Sequence, residues 1–484
     1  MLHARISCKD MGNDPGCLWP KQQKKTKIIQ PEYYTGKWEL LPSIILHDIY
    51  SLLSEKDRIN ASSTCRTWRQ NLYHPRFWKE VTFKIYPDNL NRARFFTTTV
   101  GRIVTHAVIK LNSLSVNCMN EFMLLLQQLK RNDNLLSLIL EPAFSHMELP
   151  TKYVDAKDKE MPVAQHIMNI CARRPLQRLS LGMNEDLLQH VPQYLHILAK
   201  TRPEKVTTLG LASVKDDPAS YYILSYDGIL LMPFSNLQIL STDYDALSDT
   251  FLHSLRAAQN LERLVIHVHG IWEEHCGTTE EAWRDFTEIH PNCGVRVSLI
   301  HAYDEVIDPN PPFLKRNMRL THFRALFCEN INIRLLDLLS RYYEKTLRSF
   351  MWIDSLNNQR IAWNLSASLR RNLYPDGPDP DPLIILAWLC SELEEITFMG
   401  YKYAEEDLVA IARLRTDTLK KLEIANVDIL YSRSRSVNAR KEISKILGKP
   451  WQPVPNSQLH PVILDPVEGD SDEFISPYLL SDLR

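Results

Sequence analysis

The sequence predicts an α/β protein in two parts: a small N-terminal three-helix module, then a long irregular horseshoe with a parallel sheet inside and helices outside. Two patterns carry this expectation. An apolar helix with a proline at its mouth, "WELLPSIILHDIYSLL", begins at Trp38, far from the bulk of the chain. Beyond residue 100, an amphipathic helix, a short turn and an apolar strand of form L-x-x-L-x-L recur many times. At 484 residues the chain is long enough for an elongated array plus one small module.

In the module, Pro42 suits the first helical position because no backbone N–H is needed there. Ile45, Leu46, Ile49, Leu52 and Leu53 recur at three- and four-residue steps and make one apolar face. Ser54 is a natural cap for a second helix, with Asp57 in the place of the usual Glu or Gln. That helix carries Ile59 and the small residues Ala61, Ser62 and Ser63. Cys65, Trp68 and Leu72 continue the stripe, Pro75 ends it, and Phe77 and Trp78 supply large anchors. Roughly 40 residues rarely bury enough surface to stand alone. The leftover apolar area therefore wants a partner, within the chain or outside it.

The repeating strands read "LLSLIL" at 135, "LQRLSL" at 176, "VTTLGL" at 206, "LERLVI" at 261, "LEEITF" at 393 and "LKKLEI" at 419. Looser copies are "LQILST" at 237, "VRVSLI" at 295, "MRLTHF" at 318 and "LRSFMW" at 347. Successive starts lie between 23 (295 to 318) and 46 (347 to 393) residues apart, which suits an array with insertions. Helical segments such as "NEFMLLLQQLKRN", "EDLLQHVPQYLHILAK", "SDTFLHSLRAAQ", "NIRLLDLLSRYYEK" and "AEEDLVAIARLR" precede most of them. Strand after helix after strand argues for a parallel sheet with outer helices, and neighbouring copies should stack. A doubly wound α/β domain is the competing reading, but no G-x-G-x-x-G or phosphate-binding loop follows any strand.

The segment "LLPSIILHDIYSLLSEKDRINASSTCRTWRQ" resembles an F-box, through Leu41, Pro42, Leu46, Ile49, Leu52, Leu53, Asp57, Cys65 and Trp68. Thr64 departs from that pattern, where the family prefers valine before the cysteine. The resemblance covers residues 38–80. It implies that this surface docks on the Skp-family adaptor of a cullin–RING ubiquitin ligase, through Leu41, Pro42, Ile45, Leu46, Ile49, Leu52, Leu53, Ile59, Cys65 and Trp68. The later strands resemble an irregular leucine-rich repeat, with Asn184 after "LQRLSLGM" in the place of the expected asparagine. Together with "IHVHGIWEEHC" and "AWRDFTEI", the chain looks most like the F-box only protein 39 subgroup.

The organisation expected is a flexible segment at 1–37, an F-box at 38–80, a repeat domain at 100–450 and an acidic mobile tail at 451–484. "VIDPNPPF" at 306–313 and "YPDGPDPDP" at 374–382 are expected to be exposed loops. "KQQKKTK" at 21–27 reads as a solvated basic linker or a nuclear import signal.

Composition narrows the function classes. A formal charge of −1 gives no basic field for nucleic acid. The longest apolar run, "LIILAWLC" at 383–390, is too short to span a bilayer. The first residues lack the continuous apolar core of a secretory signal. Nine cysteines without a C-x-x-C pair disfavour zinc ribbons and suit reduced thiols in cytosol or nucleus. His267, His269, His275, Cys276 and Cys293 are the one metal-like cluster. Their unpaired spacing leaves core and surface histidines as the default, and no cofactor is expected. No G-x-S-x-G elbow or cysteine signature presents a nucleophile.

The expected function is a non-catalytic substrate adaptor, with a protein substrate on the open sheet face. There the third and fifth motif positions project: Arg178 and Ser180, Arg263 and Val265, Glu395 and Thr397, Lys421 and Glu423. Of these, Arg178, Ser180, Arg263, Glu395, Lys421 and Glu423 are the candidate substrate contacts. The alternatives are a scaffold whose F-box-like segment merely caps the array, and an α/β hydrolase or transferase with a degenerate motif.

Overall fold

The computed structural model describes residues 37–150, 161–217, 220–221, 223, 226–270, 275–303, 311–329, 331–355, 381–431, 439–465, 467 and 470–484. The N-terminal segment up to residue 36, with its basic run, lies outside the described residues, as do most of the two proline-rich stretches. The chain divides into two compact units, Met1–Asn71 and Leu72–Arg484.

The smaller unit holds three helices: α1 (Ser43–Leu52), α2 (Glu55–Ser62) and α3 (Arg66–Leu72, whose final residue falls to the larger unit). Pro42 sits one residue before α1, at its cap, where its fixed φ sets the entry. Ser54 caps α2 as expected. Its hydroxyl accepts from the Asp57 N–H at 3.2 Å and donates to the Asp57 carboxylate at 2.7 Å. Tyr50 is fully buried; its hydroxyl donates to the Trp68 carbonyl at 2.8 Å and its ring meets the Trp68 indole edge-on at 5.7 Å. The indole N–H in turn donates to the Trp38 carbonyl at 3.0 Å. These bonds tie α1 to α3.

The larger unit is built on strands β1 (Glu80–Ile85), β2 (His106–Leu111), β3 (Ser137–Pro142), β4 (Arg178–Ser180), β5 (Thr208–Gly210), β6 (Ile239–Asp243) and β7 (Arg263–Val268). They continue as β8 (Gly294–Ile300), β9 (Leu320–Leu326), β10 (Ser349–Ile353), β11 (Glu395–Met399), β12 (Tyr403–Ala404), β13 (Lys421–Ile424) and β14 (Ile429–Leu430). Twelve of them form one sheet in chain order, β1 to β11 and then β13, and β12 pairs with β14. Every neighbouring pair in the large sheet is parallel. A doubly wound domain reverses its strand order at a switch point. This sheet never reverses, so that competing reading falls.

Each strand predicted from the repeats is present, starting at or near the third position of its motif. The three motif leucines, such as Leu176, Leu179 and Leu181, are buried. Consecutive connecting helices pack against one another along that side. The helix expected over 185–200 divides into Glu185–Leu188 and Val191–Thr201, because Pro192 suits a new first turn better than a helix interior.

Four boundaries need correction. The repeat unit begins before residue 100, since β1 and β2 are its first two strands. β1 alternates exposed and buried residues, as an edge strand with one wet face does, so it lacks the leucine-rich form. Phe77 and Trp78 belong to this unit and not to the module: Trp78 meets Phe96 edge-on at 5.8 Å and donates to the Leu72 carbonyl at 2.6 Å. The proline-rich stretches also end inside the fold. Phe313 is buried against Tyr244, and Asp381 caps a helix over Pro382–Leu389 with its carboxylate on the Leu383 and Ile384 N–H groups. Finally, 451–484 is no mobile tail where it is described. It carries helices Pro461–Leu464 and Ser471–Ser481, with Ile475, Leu479, Leu483 and Asp482 buried.

Removing residues 1–71 is therefore expected to leave a soluble, folded sheet unit. Removing 1–99 strips β1, Trp78 and Phe96 and is expected to aggregate through the exposed edge of β2. Size-exclusion chromatography of the two truncations checks this, and equal behaviour would contradict the boundary at Leu72.

Candidate functional site: an apolar helical face and an arginine-lined sheet

α1 carries aliphatic residues on its outward side as well as its buried one. Leu46 and Tyr50, four residues apart, are buried, while Ile44, Ile45 and Leu52 point outward at 69%, 44% and 86% exposure. Trp38 and Leu40, just before α1, are two-thirds exposed. A soluble helix that buries one face normally covers the other with polar groups. Here Ile44, Ile45 and Leu52 share the outward face with Asp48 and Ser51, an excess of exposed aliphatic surface that marks it as an interaction surface.

The expected adaptor contacts divide accordingly. Pro42, Ile45 and Leu52 are exposed and Leu41, Ile49, Leu53, Ile59, Cys65 and Trp68 are half-buried. Leu46 is a core residue that supports the face from behind. The sequence reading missed Trp38, Leu40 and Ile44; their signal was aliphatic residues on both sides of one short helix.

The second site is the sheet face away from the connecting helices. Parallel register carries Arg178, Thr208, Ile239 and Arg263 along one row of that face, and Ser298, Arg324 and Met351 along another. This face is covered. The last helix, Ser471–Ser481, lies across it with Ile475, Leu479, Leu480 and Leu483 in one cluster with Met183, Ala212, Ile300, Leu326 and Met351. At its end the Asp482 carboxylate bridges Arg296 and Arg324, with one Arg324 bond at 3.1 Å. Arg178 donates to the Leu483 carbonyl at 2.7 Å, and Arg263 to the backbone oxygens of Asp482 and Arg484, the latter at 3.1 Å. Arg484 pairs with Glu141, which also meets Lys110 at 3.0 Å. At the start of the helix, the Ser145 N–H donates to Asp472 at 2.7 Å and His301 bonds Ser471 at 3.1 Å.

Burial opposes ionisation of Asp482, but Arg324 and Arg296 outweigh it and hold the carboxyl below its ordinary range. His322 beside them is pushed down to about 3, first by burial and then by the same two cations.

The expectation of an open substrate face at Arg178 and Arg263 is thus corrected: both arginines hold the end of this chain. Ser180 is buried beside them. Its neighbour Gly210 leaves room for Leu483, since a Cβ there would lie 2.6 Å from the Leu483 methyl. Gly210→Val is expected to destabilise the sheet unit by about 1–3 kcal/mol through this overpacking. An unchanged urea midpoint would show that Leu483 does not seat there. At the far end Lys421 pairs with Glu423 at 2.8 Å and Glu395 accepts from Ser349 at 3.1 Å, so those charges are already engaged.

The metal-like cluster does not assemble. His267, His269 and Cys293 are buried and Cys276 is exposed. Among the described residues no group of three His, Cys, Asp or Glu is placed to hold a metal. His269 instead bonds the Ser213 carbonyl at 2.9 Å, and burial pushes its pKa down to about 3.

Beside it, Lys215 reaches Asp243 at 2.9 Å and Ser213 at 2.8 Å, all three buried. A Ser–Lys pair resembles a nucleophile and its base. Ser213 also bonds Asp243 at 3.0 Å and has no exposed surface, so this network braces the ends of the strands. Burial pushes the Cys171, Cys293 and Cys390 thiols up to about 12, away from nucleophilic use. No helix among the described residues is long and apolar enough to cross a membrane.

Comparison with known proteins bears on both units. Residues 38–84 match the F-box-like family model. The chain is 23% identical over 488 residues to F-box only protein 33 of Homo sapiens, covering 88% of this chain and 85% of that protein. It is 21% identical over 453 residues to F-box/LRR-repeat protein 21 of Mus musculus, covering 86% and 89%. Neither name is that of the F-box only protein 39 subgroup. Among solved structures, a chain of the yeast Rad7–Elc1 complex aligns with a TM-score of 0.37 at 12% identity, covering 82% of this chain and 90% of that one. An internalin of Listeria monocytogenes aligns at 0.31 and 12% identity, covering 86% and 95%.

Proposed function

We propose that this chain is the substrate-recognition subunit of an SCF-type cullin–RING ubiquitin ligase. The helical unit docks on a Skp-family adaptor and the sheet unit presents a protein for ubiquitylation. One observation carries the reading: the segment that matches an F-box-like family leaves Trp38, Leu40, Ile44, Ile45 and Leu52 exposed, apolar side chains in need of a protein partner. The chain itself performs no chemistry. Catalysis follows from proximity, because holding a substrate lysine near charged ubiquitin raises their effective concentration. Action in cytosol or nucleus belongs to the same proposal.

Capture of purified Skp-family adaptor by the full chain, compared with a chain lacking residues 38–71, tests it. Capture that survives the deletion, or never occurs, removes the reading. The scaffold alternative, in which the helical segment only caps the array, predicts instead that this deletion leaves aggregate.

A further inference from the structure

The last helix is an unusual core element. Pro477 lies inside it and cannot donate the helical bond toward Glu473, so the eleven-residue segment has little helical stability of its own. The face beneath is poorly neutralised. Four guanidinium groups, Arg178, Arg263, Arg296 and Arg324, face the helix, and the Asp482 carboxylate pairs with two of them, Arg296 and Arg324. Among the described residues neither Arg178 nor Arg263 pairs with an acidic side chain. Glu80 acts on Arg178, and Asp482 and Glu262 on Arg263, without a direct ion pair. On the same face Ser241 and Ser298, both with no exposed surface, have hydroxyls that find no hydrogen-bond partner among the described residues. A groove of about 290 Å³ also remains along the helix, walled by Lys110, Glu141, Pro477, Leu480 and Arg484.

We propose that this arginine-lined face is an exchange site, whose resident occupant is the last helix and whose ligand is a protein segment of the same chemistry. That ligand is an amphipathic helix with aliphatic residues at four-residue steps, closed by an aspartate, after the pattern of Ile475, Leu479, Asp482 and Leu483. The inference rests on the substrate-recognition reading and names its recognition chemistry. An acidic peptide without the aliphatic stripe does not compete, because the resident is held mainly by apolar contact. The tethered resident has an effective concentration in the millimolar range, on the order expected for a short linker, so a ligand must exceed it in contacts. A ligand with more acidic groups gains at Arg178 and Arg263, which the resident meets with backbone oxygens and no acidic side chain.

The probe is a fluorescent peptide of residues 470–484, DSDEFISPYLLSDLR, titrated into full-length protein. Leu479→Ser with Leu483→Ser, in the chain alone, weakens the resident without touching the sheet. The peptide is expected to bind this variant at least tenfold more tightly than the unmodified chain. A peptide carrying Asp482→Ala is expected to lose at least tenfold. Equal, weak binding in all cases overturns the proposal.

Hydrogen exchange on the unmodified chain gives an independent reading should the variant misfold. Amides of 475–482 are expected to open at least a hundredfold more often than those of β7 to β9. Exchange of both in one cooperative unit makes the helix permanent core and also overturns the proposal. Adaptor capture is scored on the same samples: a chain that captures adaptor but shows no exchange loses only this inference. A chain that exchanges peptide without capturing adaptor loses the ligase reading.

Discussion

Replacing Ile44, Ile45 and Leu52 together with serine is expected to lower Skp-family adaptor capture at least hundredfold and leave the fold intact. The three side chains already stand largely in water, so the substitutions remove little internal packing. Exposed substitutions of this kind usually change stability by within about 0.5 kcal/mol each. On docking, each aliphatic side chain would be buried, and full burial is worth about 1.5–3 kcal/mol per residue. Half of that for all three is about 2–4.5 kcal/mol, roughly two to three powers of ten in affinity at about 1.4 kcal/mol per power.

Leu46→Ala is the contrasting control. Its side chain has no exposed surface, so about 2–5 kcal/mol of stability should go, with capture falling only as the unit unfolds. Biolayer interferometry against purified adaptor, with far-ultraviolet circular dichroism for the fold, separates the two effects. Full-strength capture by the triple variant would place the docking surface elsewhere.

Asp482→Ala should be among the most damaging single changes in the sheet unit, at about 3–5 kcal/mol, because it leaves the buried Arg324 and half-buried Arg296 with no carboxylate between them. Adding Arg324→Met should recover part of the loss, since the stranded charge and not the missing bond is the main cost. The pair also sets an acid limit. The folded carboxyl is held below its unfolded value, so its contribution is fully present above the unfolded pKa of about 3.9 and is lost as pH falls toward the folded one. The unmodified chain should lose stability on this account below about pH 4, and the Asp482→Ala variant should lack that component. Urea midpoints for both chains between pH 3 and pH 7 give the comparison. A shift equivalent to less than about 1 kcal/mol would mean that the bridge is solvent-screened.

Much of the architecture was legible because it is local. An amphipathic helix followed by L-x-x-L-x-L repeats its instruction within each unit. The motif leucines bury toward the connecting helices, and the intervening residues, Arg178 and Arg263 among them, must take the other face. Ser54 and Asp57 likewise announced the start of α2. β1 and β2 were missed because their sequences, "EVTFKI" and "HAVIKL", carry no leucine motif and alternate buried with less buried residues. Trp38, Leu40 and Ile44 were missed because a single apolar face was sought on a helix that has two.

By itself, then, the sequence determined the two-part organisation, the parallel helix–strand rhythm and the side of the sheet on which the arginines stand. Only the tertiary structure decided what those arginines hold. "DSDEFISPYLLSDLR" reads as an acidic end with a proline in it, and its spacing of Ile475, Leu479 and Leu483 was the one signal that it packs. Periodicity encodes which face of an element is apolar, through contacts a few residues apart. It carries no record of which distant segment covers that face. Arg296 meets Asp482 across 186 positions and Arg178 meets the Leu483 carbonyl across 305, and contacts of that separation exist only once the whole sheet has formed.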